Sequence, residues 1–212
     1  WDSFVNKHKD ANIFQCSNFF KANKGISEST PFVFGVVESS KILGIISGVI
    51  HSNGGKIGKC LTSRAIIIGG PLLASDLNNR EIVLDFLLRG LKSILKNKVI
   101  YTQFRNISNL ENDKQIFLNN EFKFIDHLDI LIDLTLSEVA LWDKMTRDRK
   151  KSIKKGQREI QVFQINDYEK FSDQIYELLK TVYHRAKLPL PSKEYFNQVI
   201  ATLIPMGQIK IF

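Results

Sequence analysis

The sequence predicts an α/β protein: a mixed sheet with helices on both faces, followed by the first half of a second unit of the same order. Three observations predict it. PFVFGVVESSKILGIISGVIH sets two β-branched runs around a tight turn, NNREIVLDFLLRGLKSILKN carries an apolar stripe at helical period, and a strand, helix, helix, strand order begins again after residue 158.

In chain order, ANIFQCSNFFKANKG places Phe14, Phe19 and Phe20 near helical spacing and meets a glycine stop at Gly25, which predicts a short helix. The two runs around ESSK predict a hairpin, and RAIIIGG, after the glycine-rich SNGGKIGK, a third strand. The next helix has Val83, Phe86, Leu87, Leu91, Ile94 and Leu95 on its predicted buried face, with Asn78 or Asn79 as cap. A strand in VIYTQFR, a helix around ENDKQIFLNN and two strands in FKFIDHLDILIDL follow. Thr135 and Glu138 have capping-box spacing, so one helix is expected from there to a stop at Gly156, with Trp142, Met145, Arg149 and Ile153 as its narrow stripe. EIQVFQI then reads as a strand, the segment after Asp167 as a capped helix, PSKEYFNQVIATLI as another helix and GQIKIF as a strand. The expected domains are residues 1–134, a basic connecting helix at 135–158, and the start of a second domain at 159–212. The start at Trp1 and the end in GQIKIF carry the expectation that the chain is a fragment.

The 212 residues, 43% hydrophobic and 25% charged, are those of a globular protein with a packed core. Two cysteines without CxxC spacing exclude a disulfide framework and give no metal site. No apolar run reaches the ~18 residues of a membrane span, and the N-terminal segment lacks signal-peptide order, so the expected location is cytoplasmic.

The net charge is +8, and between Trp142 and Arg158 eight Lys or Arg stand against Asp143 and Asp148, a local +6. A face of this kind is either solvated or a phosphate surface. On the second reading Lys150, Lys151, Lys154, Lys155 and Arg158 contact tRNA, or steer an anionic lipid-linked substrate at the inner membrane face. No aromatic residue is interleaved from Arg147 to Arg158, so contact with the backbone and not base stacking is expected. Trp142 is expected in the core.

Several stretches resemble the Fem family of peptidoglycan aminoacyltransferases, which carry two GNAT-like (N-acyltransferase) domains in tandem. IFQCSNFFKANKG resembles the family's early Q-S-x-x-W-x-x-x-K segment, with Phe where Trp is usual. SRAIIIGGPLL resembles its P-R-G-P-V strand end, and IDLTLSEVALWDKMTRDRKKSIKKGQREIQV the passage between its domains. LLKTVYHRAKLPLPSKEYFNQV resembles its Thr-x-x-x-Arg helix followed by Tyr-Phe. The resemblance implies transfer of an amino acid from aminoacyl-tRNA to an amine of a UDP- or lipid-linked muropeptide, with no tightly bound cofactor. It implies that Lys21 contacts the substrate diphosphate, that Arg185 lines the same cleft, and that Tyr195 matches a further substrate-binding position.

Acyl transfer to an amine needs positioning and oxyanion stabilisation, not an enzyme nucleophile. No G-x-S-x-G elbow or Cys/His pairing is present, and His8, His51, His127 and His184 are scattered, so the catalytic residues stay unknown. An acyl-CoA-dependent N-acyltransferase for an envelope amino sugar is the alternative, and a non-catalytic basic binding module the second. The loop GGPLLASDLNN loses a donor at Pro71 and has leucines where a CoA pyrophosphate needs bare backbone, so the donor site is expected beyond Phe212. Arg105 is either a pocket residue or the partner of a carboxylate at the edge of the core, the second being favoured.

Overall fold

A computed structural model describes residues 1–54, 56–127 and 130–212. In chain order it contains α1 (Asp2–Lys7), α2 (Ser17–Asn23), β1 (Ser29–Glu38), β2 (Lys41–His51), α3 (Lys56–Thr62), β3 (Arg64–Ile68), β4 (Leu72–Leu73), α4 (Arg80–Leu95) and β5 (Tyr101–Arg105). After these come α5 (Lys114–Asn119), α6 (Glu138–Lys144), α7 (Arg147–Glu159), α8 (Tyr168–Arg185) and α9 (Lys193–Leu203). The expected fold class, a mixed sheet flanked by helices, is the one observed.

The hairpin forms where expected. Ser39 and Ser40 take φ of 46° and 67°, the left-handed pair that matches a two-residue turn to the twist of its strands. β2 is antiparallel to β1 and β3, β4 pairs with β2, and β3 runs parallel to β5, which requires the crossover that α4 supplies. On one sheet face Ile46, Ala65, Ile67 and Leu73 pack against Val83, Leu84, Leu87, Leu88, Leu91 and Leu95 of α4 and Phe117 of α5. Each of the larger aliphatic side chains contributes about 2 kcal/mol when fully buried. The expected face of α4 is corrected at two positions, because Phe86 is 63% and Ile94 37% exposed. Leu84 and Leu88, one turn apart, occupy the places facing the sheet instead.

On the opposite face α1, a 3₁₀ turn at Ile13–Gln15 and α2 bury Val5, Cys16, Ile45 and Leu72. Asn12 and Gln15 close a reciprocal capping box, and Gln15 Nε2 donates to Gly70 O at 2.9 Å. Gly69 and Gly70 have φ of 96° and 74°, and a Cβ on Gly69 would meet Asn12 Nδ2 at 2.1 Å. The Gly-Gly turn therefore lets the 3₁₀ segment lie directly on the end of β3.

α9 packs on α2 through Ala22, Val199 and Leu203, with Tyr195 and Phe19 alongside. Its N-cap Ser192 accepts from Tyr195 N, and Asp167 caps α8 by accepting from Lys170 N, as the sequence indicates. Two compact units result, Trp1–Lys123 with Asp167–Ile209, and Phe124–Asn166 with Lys210–Phe212. They are cut at places other than the expected limits of 134 and 158, since α8 and α9 group with the first sheet.

The second unit departs most from expectation. The single helix expected from Thr135 is two. Ser137 caps α6 by accepting from Ala140 N, and α6 ends at an extended Met145. Thr146 then caps α7 by accepting from Arg149 N. Thr135 is drawn into its own bond with Asp133, so the competing caps Ser137 and Thr146 set the boundaries. Gly156 does not stop α7, which runs to Glu159. Among the described residues the expected strands in 122–134 and 160–165 are not formed, and residues 128 and 129 of the first lie outside them. One antiparallel bridge, Ile165 to Ile211, is what remains of the strands expected in EIQVFQI and GQIKIF. Ile125, Ile130 and Leu131 are 84–89% exposed, consistent with strand-like sequences that have no paired neighbour.

Candidate functional site

The sheet face opposite α4 carries a group of polar and titratable side chains. Ile50, Ala65, Ile67 and Phe104 turn to the α4 core, so by the two-residue period His51, Arg64, Tyr101, Gln103 and Arg105 share the other face. Register aligns them in rows. His51 pairs with Arg64 and Arg64 with Tyr101, while Ile66 pairs with Gln103 and Ile68 with Arg105.

At the His51 end the row meets α9. The His51 and Tyr195 rings stand edge to face with centroids 6.3 Å apart. Burial holds the His51 pKa below its ordinary 6.5, Arg64 and Arg105 push it the same way, and Glu28 opposes them. Burial, then Glu28 and Tyr183, raise the Tyr195 phenol above 10.0. At neutral pH both rings are uncharged, and among the described residues the His51 imidazole has no hydrogen-bond partner. Glu28 ties the corner together: its Oε1 accepts from Ser192 N at 2.7 Å, and its carbonyl accepts from Ser52 N at 3.0 Å just after β2. The result is a neutral imidazole able to accept a proton, beside a face where Arg64 and Arg105 attract anions.

The expected site residues fall in different surroundings. Tyr195 belongs to this corner. Lys21, in the last turn of α2, is exposed and within electrostatic range of Asp2, whose pKa is lowered mainly by its hydrogen bonds to Ser17 and slightly by Lys21. Arg185 is exposed at the end of α8. Among the described residues neither the Lys21 nor the Arg185 side chain has a hydrogen-bond or ion-pair partner. Among the described residues Arg105 does not pair with a carboxylate: its guanidinium lies 3.4 Å from Gln103 Oε1. Nothing in the sequence marks Glu28, His51 and Arg64 as a group. The usable signal was weak, a histidine and an arginine at the facing ends of two strands joined by a glycine-rich loop.

Elsewhere in this unit, Leu72 and Leu73 of the GGPLLASDLNN loop are 1% and 2% exposed and pair with β2. A pocket of about 290 Å³ lined by Val5, His8, Asn12, Cys16 and Gln208 does not coincide with the His51 corner, and its histidine is bonded to Leu73 O. No group of metal-ligating side chains occurs among the described residues, and none of the described helices is long and apolar enough to cross a membrane.

In the second unit Trp142 is not in a core. It is half-buried, with Lys150 Nζ and Lys154 Nζ 6.0 and 5.9 Å from its ring centroid. Lys155 pairs with Glu159 at 3.9 Å, while Lys151 and Arg158 are exposed.

This architecture has counterparts among solved structures. The structure titled "Crystal structure of FemX" superposes with a TM-score of 0.62 over 97% of this chain, at 16% sequence identity. The chain spans 53% of that structure's length. A structure titled "Crystal structure of a probable acetyltransferase" matches over 50% of this chain with a TM-score of 0.34 and 15% identity. A ribosomal-protein-alanine N-acetyltransferase from Brucella melitensis biovar Abortus 2308 matches over 49%, with a TM-score of 0.34 and 9% identity. No family model and no curated protein matches the sequence.

Proposed function

We propose that this chain belongs to an aminoacyltransferase of the Fem type, which moves an amino acid from aminoacyl-tRNA to an amine of a UDP- or lipid-linked muropeptide. The observation that carries the reading is the FemX-like fold over nearly the whole chain. Two features support it. Lys21 and Arg185 keep charged, exposed side chains without partners, as cations that receive a substrate diphosphate must. The loop after β3 packs its leucines inward and offers no open backbone cradle for a CoA pyrophosphate, which agrees with a donor site elsewhere in the complete protein.

The test is single-turnover transfer by the complete protein, with radiolabelled aminoacyl-tRNA and acetyl-CoA offered separately to UDP-linked muropeptide and amino-sugar acceptors. Label passing from tRNA to the muropeptide supports the proposal. Label arriving only from the thioester makes the protein an N-acyltransferase, and binding of both substrates without transfer makes it a non-catalytic module. Lys21→Ala and Arg185→Ala should each raise KM for the muropeptide about tenfold or more, as loss of a charge-assisted phosphate contact does, with unchanged thermal stability.

A further inference from the structure

We infer that α7 is a docking face for the phosphate backbone of RNA, contacted by Arg147, Lys150, Lys151, Lys154, Lys155 and Arg158. These positions are i, i+3, i+4, i+7, i+8 and i+11 of one helix. At about 100° per residue they fall within an arc of roughly 140°, and at 1.5 Å per residue they extend about 17 Å along the axis. The cations therefore form one stripe and do not ring the helix; Arg149 alone points elsewhere.

Like charges at i, i+4 repel, so a stripe of six needs a counter-charge. Lys155 has an acidic partner in Glu159, 3.9 Å away, and it is the stripe's one ion pair among the described residues. Lys150 and Lys154 lie over the Trp142 ring, which holds their stems in place and covers a face on which a base could stack. The partner that fits is a line of phosphates, recognised by charge and not by base. A bilayer fits less well. A helix lying in a membrane needs a broad apolar face, and Ile153 is the one large apolar side chain of α7.

The choice of tRNA as the RNA rests on the proposed aminoacyl-tRNA donor; the stripe itself does not. The complete protein is titrated with deacylated tRNA carrying a 3′ fluorescein, at several NaCl concentrations. The variant Lys151→Gln/Lys155→Gln/Arg158→Gln changes exposed side chains to good helix formers, so the fold is kept, as circular dichroism would check. It should bind at least tenfold more weakly at about 100 mM salt and flatten the log K against log salt slope by two to three, at ~0.9 per phosphate lost. Unchanged affinity and slope overturn the inference. So does a variant that keeps tRNA binding but loses binding to phosphatidylglycerol vesicles. Transfer from aminoacyl-tRNA with the same KM for tRNA in the variant sinks the docking face and leaves the Fem reading standing. Wild-type binding through α7 without any transfer does the reverse.

Discussion

Gly90 of α4 faces the ring of Phe34 on β1 so closely that a Cβ on the glycine would stand 2.3 Å from Phe34 Cζ. A glycine inside a helix costs about 1 kcal/mol relative to alanine, and here that cost admits an aromatic ring between helix and sheet. Gly90→Ala should therefore destabilise, by a net ~1–2 kcal/mol, because overpacking outweighs the gain in helix propensity. Made in a Phe34→Leu background, the same substitution should be neutral or stabilising. Urea midpoints of the four proteins measure the coupling, and additive effects would remove the explanation.

His51 makes stability depend on pH on the acid side. Its folded pKa lies below the unfolded 6.5, so the unfolded chain binds the extra proton and stability falls as pH drops from about 6.5 through the folded value. Thermal midpoints between pH 7.5 and 5 should fall less in His51→Gln than in wild type. The imidazole resonance should titrate lower still in Glu28→Gln, which removes the anion that favours its charged form, and higher in Arg64→Gln.

Arg80 holds Asp113 with two hydrogen bonds, at 3.2 and 2.7 Å, and the Asp113 side chain is 6% exposed. Arg80→Ala leaves that carboxylate buried and unpaired, and should cost about 2 kcal/mol, below the range for fully buried pairs because Arg80 is itself half-exposed. Asp113→Asn, which still accepts a hydrogen bond, should cost less. Lys41→Ala, at an exposed pair with Asp76, should leave the denaturation midpoint where it is.

Ser192 caps α9 through its hydroxyl while its own amide binds Glu28. Ser192→Ala should lower stability by about 1 kcal/mol, and Ser192→Asp should restore most of it if capping is the main role. If both variants are equally impaired, the carboxylate of Glu28 is the reason, since a second acid beside it repels.

How far the sequence could be read follows from where each signal lies along the chain. The hairpin at Ser39–Ser40, α4, α8 and α9 are local: their turn residues, caps and periods sit within a few residues of what they determine. The split at Met145–Thr146 was hidden because Thr135, Ser137 and Thr146 all have capping chemistry, and competition among them is settled by geometry. Phe86 was misplaced because a stripe of leucines leaves the exact facing angle open until the sheet is known. The His51 corner leaves only a weak trace in the sequence. Glu28 and Ser192, which hold it, are 164 residues apart, and no periodicity spans that distance.

The exposed segments 130–134 and 160–163 also bear on how the protein must be handled. Ile130, Leu131, Ile132 and Leu134 leave backbone donors and acceptors without a ladder, and such a stretch is a template on which another chain can add a strand. Asp133 is the gatekeeper within it. Its pKa is held down chiefly by the Thr135 hydroxyl, so it keeps its negative charge well into acid. Edge-to-edge aggregation should be held back until that charge is neutralised, or until Asp133 is replaced by Asn.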